Sequence, residues 1–150
     1  MILVNLFQTT IWHAIGIPKR CGRLGALNTL AAWVTNSRFS HVELAIGEDQ
    51  GHAGEMKNVV RVFNDAVGVE LTQRTGVNPK FQYLQIGCSR HAELAMLEFA
   101  RRQRGKPFSL TGMVRSIVWP RRSTGKTYFC SELVAATLQA GGLMDARCNP

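Results

Sequence analysis

Acidic residues are scarce in this chain: 10 Asp and Glu stand against 18 Lys and Arg, for a formal charge of +8. The shortage favours anionic partners, and many of the basic residues fall between Arg101 and Arg122. Long apolar runs are missing too. No stretch approaches the roughly 20 residues a membrane-crossing helix needs, which excludes that class. Cysteine is limited to Cys21, Cys88, Cys130 and Cys148, widely spaced and without a C-x-x-C pair. That spacing argues against a zinc ribbon or a redox dithiol, and the size of the chain against a disulfide framework; the thiol chemistry considered below needs no metal or cofactor. Four reduced thiols in a cytosol-like compartment are the simplest expectation. Internal repeats, low-complexity tracts and linkers are absent as well. The 150 residues, 45% hydrophobic, therefore read as one domain, 1–150, around a single core.

The opening apolar run has no basic n-region and is interrupted by Gln8, Thr9, Thr10 and His13. Ile2 to Phe7 reads as a buried strand rather than a signal peptide. Leu24, Leu27, Leu30, Ala31 and Val34 then recur at helical spacing. "FSHVELAIG" alternates strictly, with Val42, Leu44 and Ile46 on one face and His41, Glu43 and Ala45 on the other. "HAGEMKNVVRVF", "GVELT" and "KFQYLQIG" are further strand-like runs, expected as an antiparallel meander. From Ser89 the period changes. "SRHAELAMLEFARRQRGKP" has an N-cap serine, an apolar stripe of Ala92, Ala95, Met96, Phe99 and Ala100, and arginines in its last turns, before Gly105 and Pro107 end it. "FSLTGMVRSIVW" predicts a shorter helix, and "TYFCSELVAATLQAGG" a closing one. Strand, helix, strands, then helices predicts an α+β fold with an antiparallel sheet packed against helices.

In the closing helix Cys130 shares a face with Leu133, Val134, Thr137 and Leu138, which points the thiol toward the protein. A packed structural thiol is one reading, since free cysteine behaves as a small hydrophobe. Its place in the first turn supports another. Unpaired N–H groups and the positive dipole end favour thiolate, and the same donors can hold an oxyanion. A nucleophile of this kind needs a base. Of the four histidines, His91 and His52 read as solvated and His13 as a core residue. His41 is aimed by a regular strand whose other face is apolar.

"SHVELAIG" upstream and "TYFCSELVAATLQAGG" downstream resemble the two signature motifs of the circularly permuted papain-like thiol hydrolases, the YiiX-like branch of the NlpC superfamily, with the lecithin retinol acyltransferases as distant relatives. "VVRVF" and "RGKPFSLTGMV" are similar to that group's middle segments, so the likeness spans roughly residues 37 to 143. Histidine strand first and cysteine helix last is the permuted order. The resemblance implies a permuted papain-like (NlpC-type) fold, Cys130 as nucleophile at a helix N-terminus, His41 as general base, and a polar third residue that orients the imidazole. Glu55 stands at about the family's place for that residue. Glu43 competes on geometry, two residues from His41 on the same face, about 6.6 Å along the strand. Tyr128 is a candidate oxyanion donor or a packing residue, and Ser131 offers a backbone N–H or a helix cap. Where many relatives carry an acid after the aromatic before the cysteine helix, this chain reads "PFSL", so that acid is missing here.

Two function classes follow. One is a cysteine-dependent hydrolase (amidase, peptidase or esterase) or acyltransferase working through a thioacyl intermediate on a peptide, isopeptide or lipid ester. The other is a non-enzymatic basic module that binds nucleic acid or a membrane surface through Arg101 to Lys126. The loop from Pro120 to Lys126 would flank the proposed site. The expected location is cytoplasmic or, since similar short forms occur in viruses and phages, virion-associated.

Overall fold

The computed structural model describes residues 2–8, 39–47, 56–62, 67–75, 81–118 and 124–145. Five strands are placed there: β1 (Ile2–Gln8), β2 (Phe39–Ile46), β3 (Met56–Val62), β4 (Val69–Thr75) and β5 (Phe81–Ile86). Three helices follow them: α1 (Arg90–Gln103), α2 (Leu110–Val118) and α3 (Cys130–Ala140). The fold is α+β, with one antiparallel sheet in the order β4-β3-β2-β1-β5. The expected meander holds for β2, β3 and β4. It fails at β5, which crosses to the far edge and pairs with β1. The helix expected over residues 24–34 lies outside the described residues.

Cross-strand partners share a face, so the register sorts the side chains. Ile2 faces Ile46 and Ile86, Leu44 faces Val60, Val60 faces Leu71, and Val62 faces Val69. This apolar face packs against Ala92, Met96, Leu97 and Ala100 of α1 and Leu133 and Val134 of α3. Leu44, Ile46, Met96 and Leu133 are fully buried. Each such side chain contributes roughly 1.5–3 kcal/mol, more than a typical surface ion pair.

Each helix begins where a side chain can serve its first turn. The Ser89 hydroxyl accepts the Ala92 N–H at 3.2 Å, and Arg101 and Arg102 occupy the last turn of α1. Gly105, at a φ of 76°, follows the helix end. The Ser109 hydroxyl accepts the Gly112 N–H at 3.0 Å to open α2. At α3 the Glu132 carboxylate reaches back to accept the Phe129 N–H at 3.4 Å.

The other face of the sheet carries charge. Arg61 on β3 pairs with Glu70 on β4 at 2.7 Å, and Arg74 on β4 donates to Glu43 on β2 at 2.6 and 3.4 Å. The Arg74 guanidinium also lies 5.8 Å from the ring centre of Phe81 on β5. β4 and β5 are opposite edges, about 19 Å apart in a flat sheet with strands about 4.8 Å apart. One arginine side chain cannot bridge that gap, so the sheet coils and its charged face is concave. No helix among the described residues is long and apolar enough to cross a membrane.

Candidate active site

β2 and the start of α3 build the site. Pleating sends Val42, with Leu44 and Ile46, to the helix-packed face and His41, with Glu43, to the concave one. The two neighbours of β2 treat it differently. Pairing with β1 continues past His41, opposite Phe7, whereas pairing with β3 is confined to Leu44–Ile46 against Val60–Asn58. β3 itself runs on to Val62, paired with β4. The sheet is therefore split beside His41, Val42 and Glu43, and this split meets the N-terminus of α3.

The approach to α3 is tied in place. Phe108 and Tyr128 form a parallel bridge, with the Ser109 N–H donating to the Tyr128 carbonyl at 2.8 Å and the Tyr128 N–H to the Pro107 carbonyl at 3.2 Å. Gly112 lets α2 come close. A Cβ there would sit 2.4 Å from the Ser109 hydroxyl oxygen and 3.6 Å from the Phe129 ring. Phe129 is the N-cap and Cys130 the first helical residue, as its place in the motif predicts.

The Cys130 thiol is half-buried, and the backbone N–H groups of Val42, Ser131 and Cys130 itself favour its thiolate form. Burial is the stronger influence and pushes the thiol pKa up, while the N–H groups oppose it. The contact with Val42 brings the sulfur to the backbone of β2 one residue from His41. His41 is itself lowered to about 4, by burial first and then by the charges of Arg61 and Arg74. Its Nε2 atom is buried. Thiol and imidazole are thus both held in their neutral forms near pH 7, rather than as a thiolate–imidazolium pair.

The remaining candidates fall in different places. Glu43 is fully buried, and Arg74 binds both of its carboxylate oxygens. The Tyr128 hydroxyl donates to Gln103 at 3.1 Å inside the core, and Gln103 also accepts from Lys106 at 2.5 Å. Burial and the nearby Glu132 push the Tyr128 pKa up. Ser131 has an exposed side chain and does not cap α3, so its contribution at the sulfur is its backbone N–H. Glu55 lies outside the described residues, as does the loop over residues 119–123. In the basic segment, Arg101, Arg102, Arg104, Arg115 and Lys126 are exposed. Lys106 turns inward, to Gln103 and the Gly125 carbonyl. Among the described residues no three His, Cys, Asp or Glu side chains are grouped to hold a metal.

Two participants escape the sequence motifs. Arg74 is one, although its alternation with Glu70 and Thr72 repeats the pattern of His41 and Glu43. The Val42 N–H is the other, a backbone group with no sequence signal. No family model matches the chain, and no curated protein matches it.

Proposed function

We propose that the chain is a cysteine-dependent hydrolase or acyltransferase of the permuted papain-like kind, with Cys130 as nucleophile and His41 as general base. The supporting observation is the Cys130 thiol at the first turn of α3, met by the Val42 N–H of β2 beside His41. The substrate is an amide or ester carbonyl. His41 takes the thiol proton as the sulfur attacks the carbonyl carbon and a C–S bond forms. The oxyanion is held by N–H groups at the helix start and from β2. Collapse breaks the C–N or C–O bond, and the imidazolium returns its proton to the departing amine or alcohol. Water, or a second acceptor, then attacks the thioester with His41 again as base, releasing the acyl product and restoring the thiol.

The raised thiol and the lowered imidazole set the demand on the site: at rest both are neutral, and the substrate must draw the proton from sulfur to a weakly basic ring. A thiol that stays protonated at rest needs a base, and an imidazole neutral at pH 7 can accept a proton. Ser131 serves through its main chain, and Tyr128, committed to Gln103, supports the fold.

The test is labelling with a thiol-reactive acyl probe at pH 7, mapped by peptide mass spectrometry. Cys130 is expected to take the label in the native chain and to lose it in His41→Ala. Cys88, half-buried between β5 and α1, serves as the internal comparison. Label on another cysteine, or equal label on Cys130 in both proteins, would overturn the assignment. Polyanion or vesicle binding that falls steeply with salt and survives Cys130→Ala would favour a binding module built on the exposed arginines.

A further inference from the structure

The concave face brings a second set of residues to His41. Phe81 and His41 are both register partners of Phe7, so they stand in one rank across β5, β1 and β2 on the same face. Arg74 contacts that rank at Phe81, and it reaches the next rank at Glu43, two residues from His41. Its guanidinium is located from two sides, beside the imidazole's own strand.

The charged and titratable groups on the described elements around this stretch include Lys57 of β3, the register partner of Arg74. Glu43 is on β2, Arg61 on β3, Glu70 and Arg74 on β4, and Tyr83 on β5. β1 supplies no titratable side chain. From the helix side come Cys130 and Glu132 of α3, the latter bound to the Phe129 N–H. On α1, Glu93 is held by Arg90. Among the described residues, the two arginines whose charges act on His41, Arg61 and Arg74, are paired with Glu70 and Glu43. Glu43 is the carboxylate closest along the strand, and it is fully buried.

We propose that the Glu43–Arg74 pair is a charge clamp for the proposed base: Arg74 occupies both oxygens of the one buried carboxylate on the His41 strand, so that the carboxylate does not draw a proton onto the imidazole. Arg74 is then a positioning residue, acting through Glu43 and by its own charge. In this arrangement Glu43 is the counter-charge that holds Arg74 in place. Two-point binding of a planar guanidinium to a carboxylate fixes direction as well as charge, which a single ammonium contact does not. The lowered His41 value, caused first by burial and then by Arg61 and Arg74, agrees with this arrangement.

The inference rests on His41 as the base of the proposed hydrolase, but its test does not require activity. The His41 ring titration is followed by NMR of the full chain in four forms: native, Arg74→Gln, Arg74→Lys and Glu43→Gln. In Arg74→Gln the uncovered carboxylate is expected to raise the midpoint by at least one pH unit, at least tenfold in proton affinity. Arg74→Lys restores most of the native value. Glu43→Gln, which leaves Arg74 unbalanced, moves the midpoint down. If Arg74→Gln does not fold, the downward shift in Glu43→Gln carries the test. A midpoint unchanged within 0.3 unit in Arg74→Gln, about twofold in proton affinity, or an upward shift in Glu43→Gln, would overturn the clamp. Midpoints that shift as stated while Cys130 labelling ignores His41→Ala would uphold the clamp and sink the hydrolase.

Discussion

The two faces of β2 are buried by opposite means. Leu44 and Ile46 lie under α1 and α3 in the apolar core, whereas Glu43, equally inaccessible, is bound by an arginine from two strands away. An apolar contact is non-directional and survives exchange for another side chain of similar volume. A buried carboxylate tolerates its position only while its partner is present. One strand therefore has a face that holds the sheet to the helices and a face whose stability depends on particular pairings. The proposed chemistry lies where the two meet, at the split between β2 and β3.

Substitutions can break this contrast on either side. Leu44→Ala removes a fully buried side chain at the helix–sheet interface and is expected to cost about 2–5 kcal/mol in urea unfolding, without moving the His41 titration. Arg74→Met strands the Glu43 carboxylate. Because the Arg74 side chain is 31% exposed, the loss should fall near the low end for a broken buried pair, about 3 kcal/mol. Adding Glu43→Leu to Arg74→Met should recover most of that loss, since no orphan charge remains. Failure of the double variant to recover would mean that the pair does more for the fold than neutralise itself.

The pH dependence follows from His41. Its folded value of about 4 lies below the ordinary 6.5, so the unfolded chain takes up the proton first. Stability is full above about pH 6.5 and declines as the pH falls toward 4, by at most roughly 3 kcal/mol. Below 4 both states are protonated and this contribution is gone. His41→Gln should flatten that part of the stability curve, read as the difference between the two proteins in urea titrations at pH 7, 5.5 and 4.5. The smallest effect expected is at Ser89→Ala, which removes the exposed α1 cap and should cost about 1 kcal/mol with His41 unmoved.

Local period carried much of the fold. Strict alternation in "FSHVELAIG" separates the two faces of β2 correctly, and Ser89, the change of period after it, and Gly105 mark the limits of α1. Cys130 at a helix start is legible in the same way, because Phe129 and Glu132 flank it with cap chemistry. What failed to show was non-local. β5 continues the spacing of a meander, yet it pairs with β1, a choice that depends on the sheet's far edge rather than on β5's own residues. Arg74 and Glu43 are 31 residues apart and meet only because the sheet coils. Glu43 beside His41 suggested an orienting acid, and no local signal reveals the arginine that takes both its oxygens. Tyr128 followed the same pattern: its position two residues before Cys130 suggested an oxyanion donor, while its hydroxyl is bonded to Gln103 from a helix 25 residues upstream.

The central claim is that Cys130 and His41 act as one unit across the split in the sheet. Its most direct test is the rate of Cys130 acylation at pH 7 by an activated ester, followed by intact mass, in the native chain and in His41→Ala. Cooperation between the two predicts a fall of about 100-fold or more in the variant, the usual scale for loss of a general base. A variant rate within about twofold of the native one, well below that scale, would contradict it.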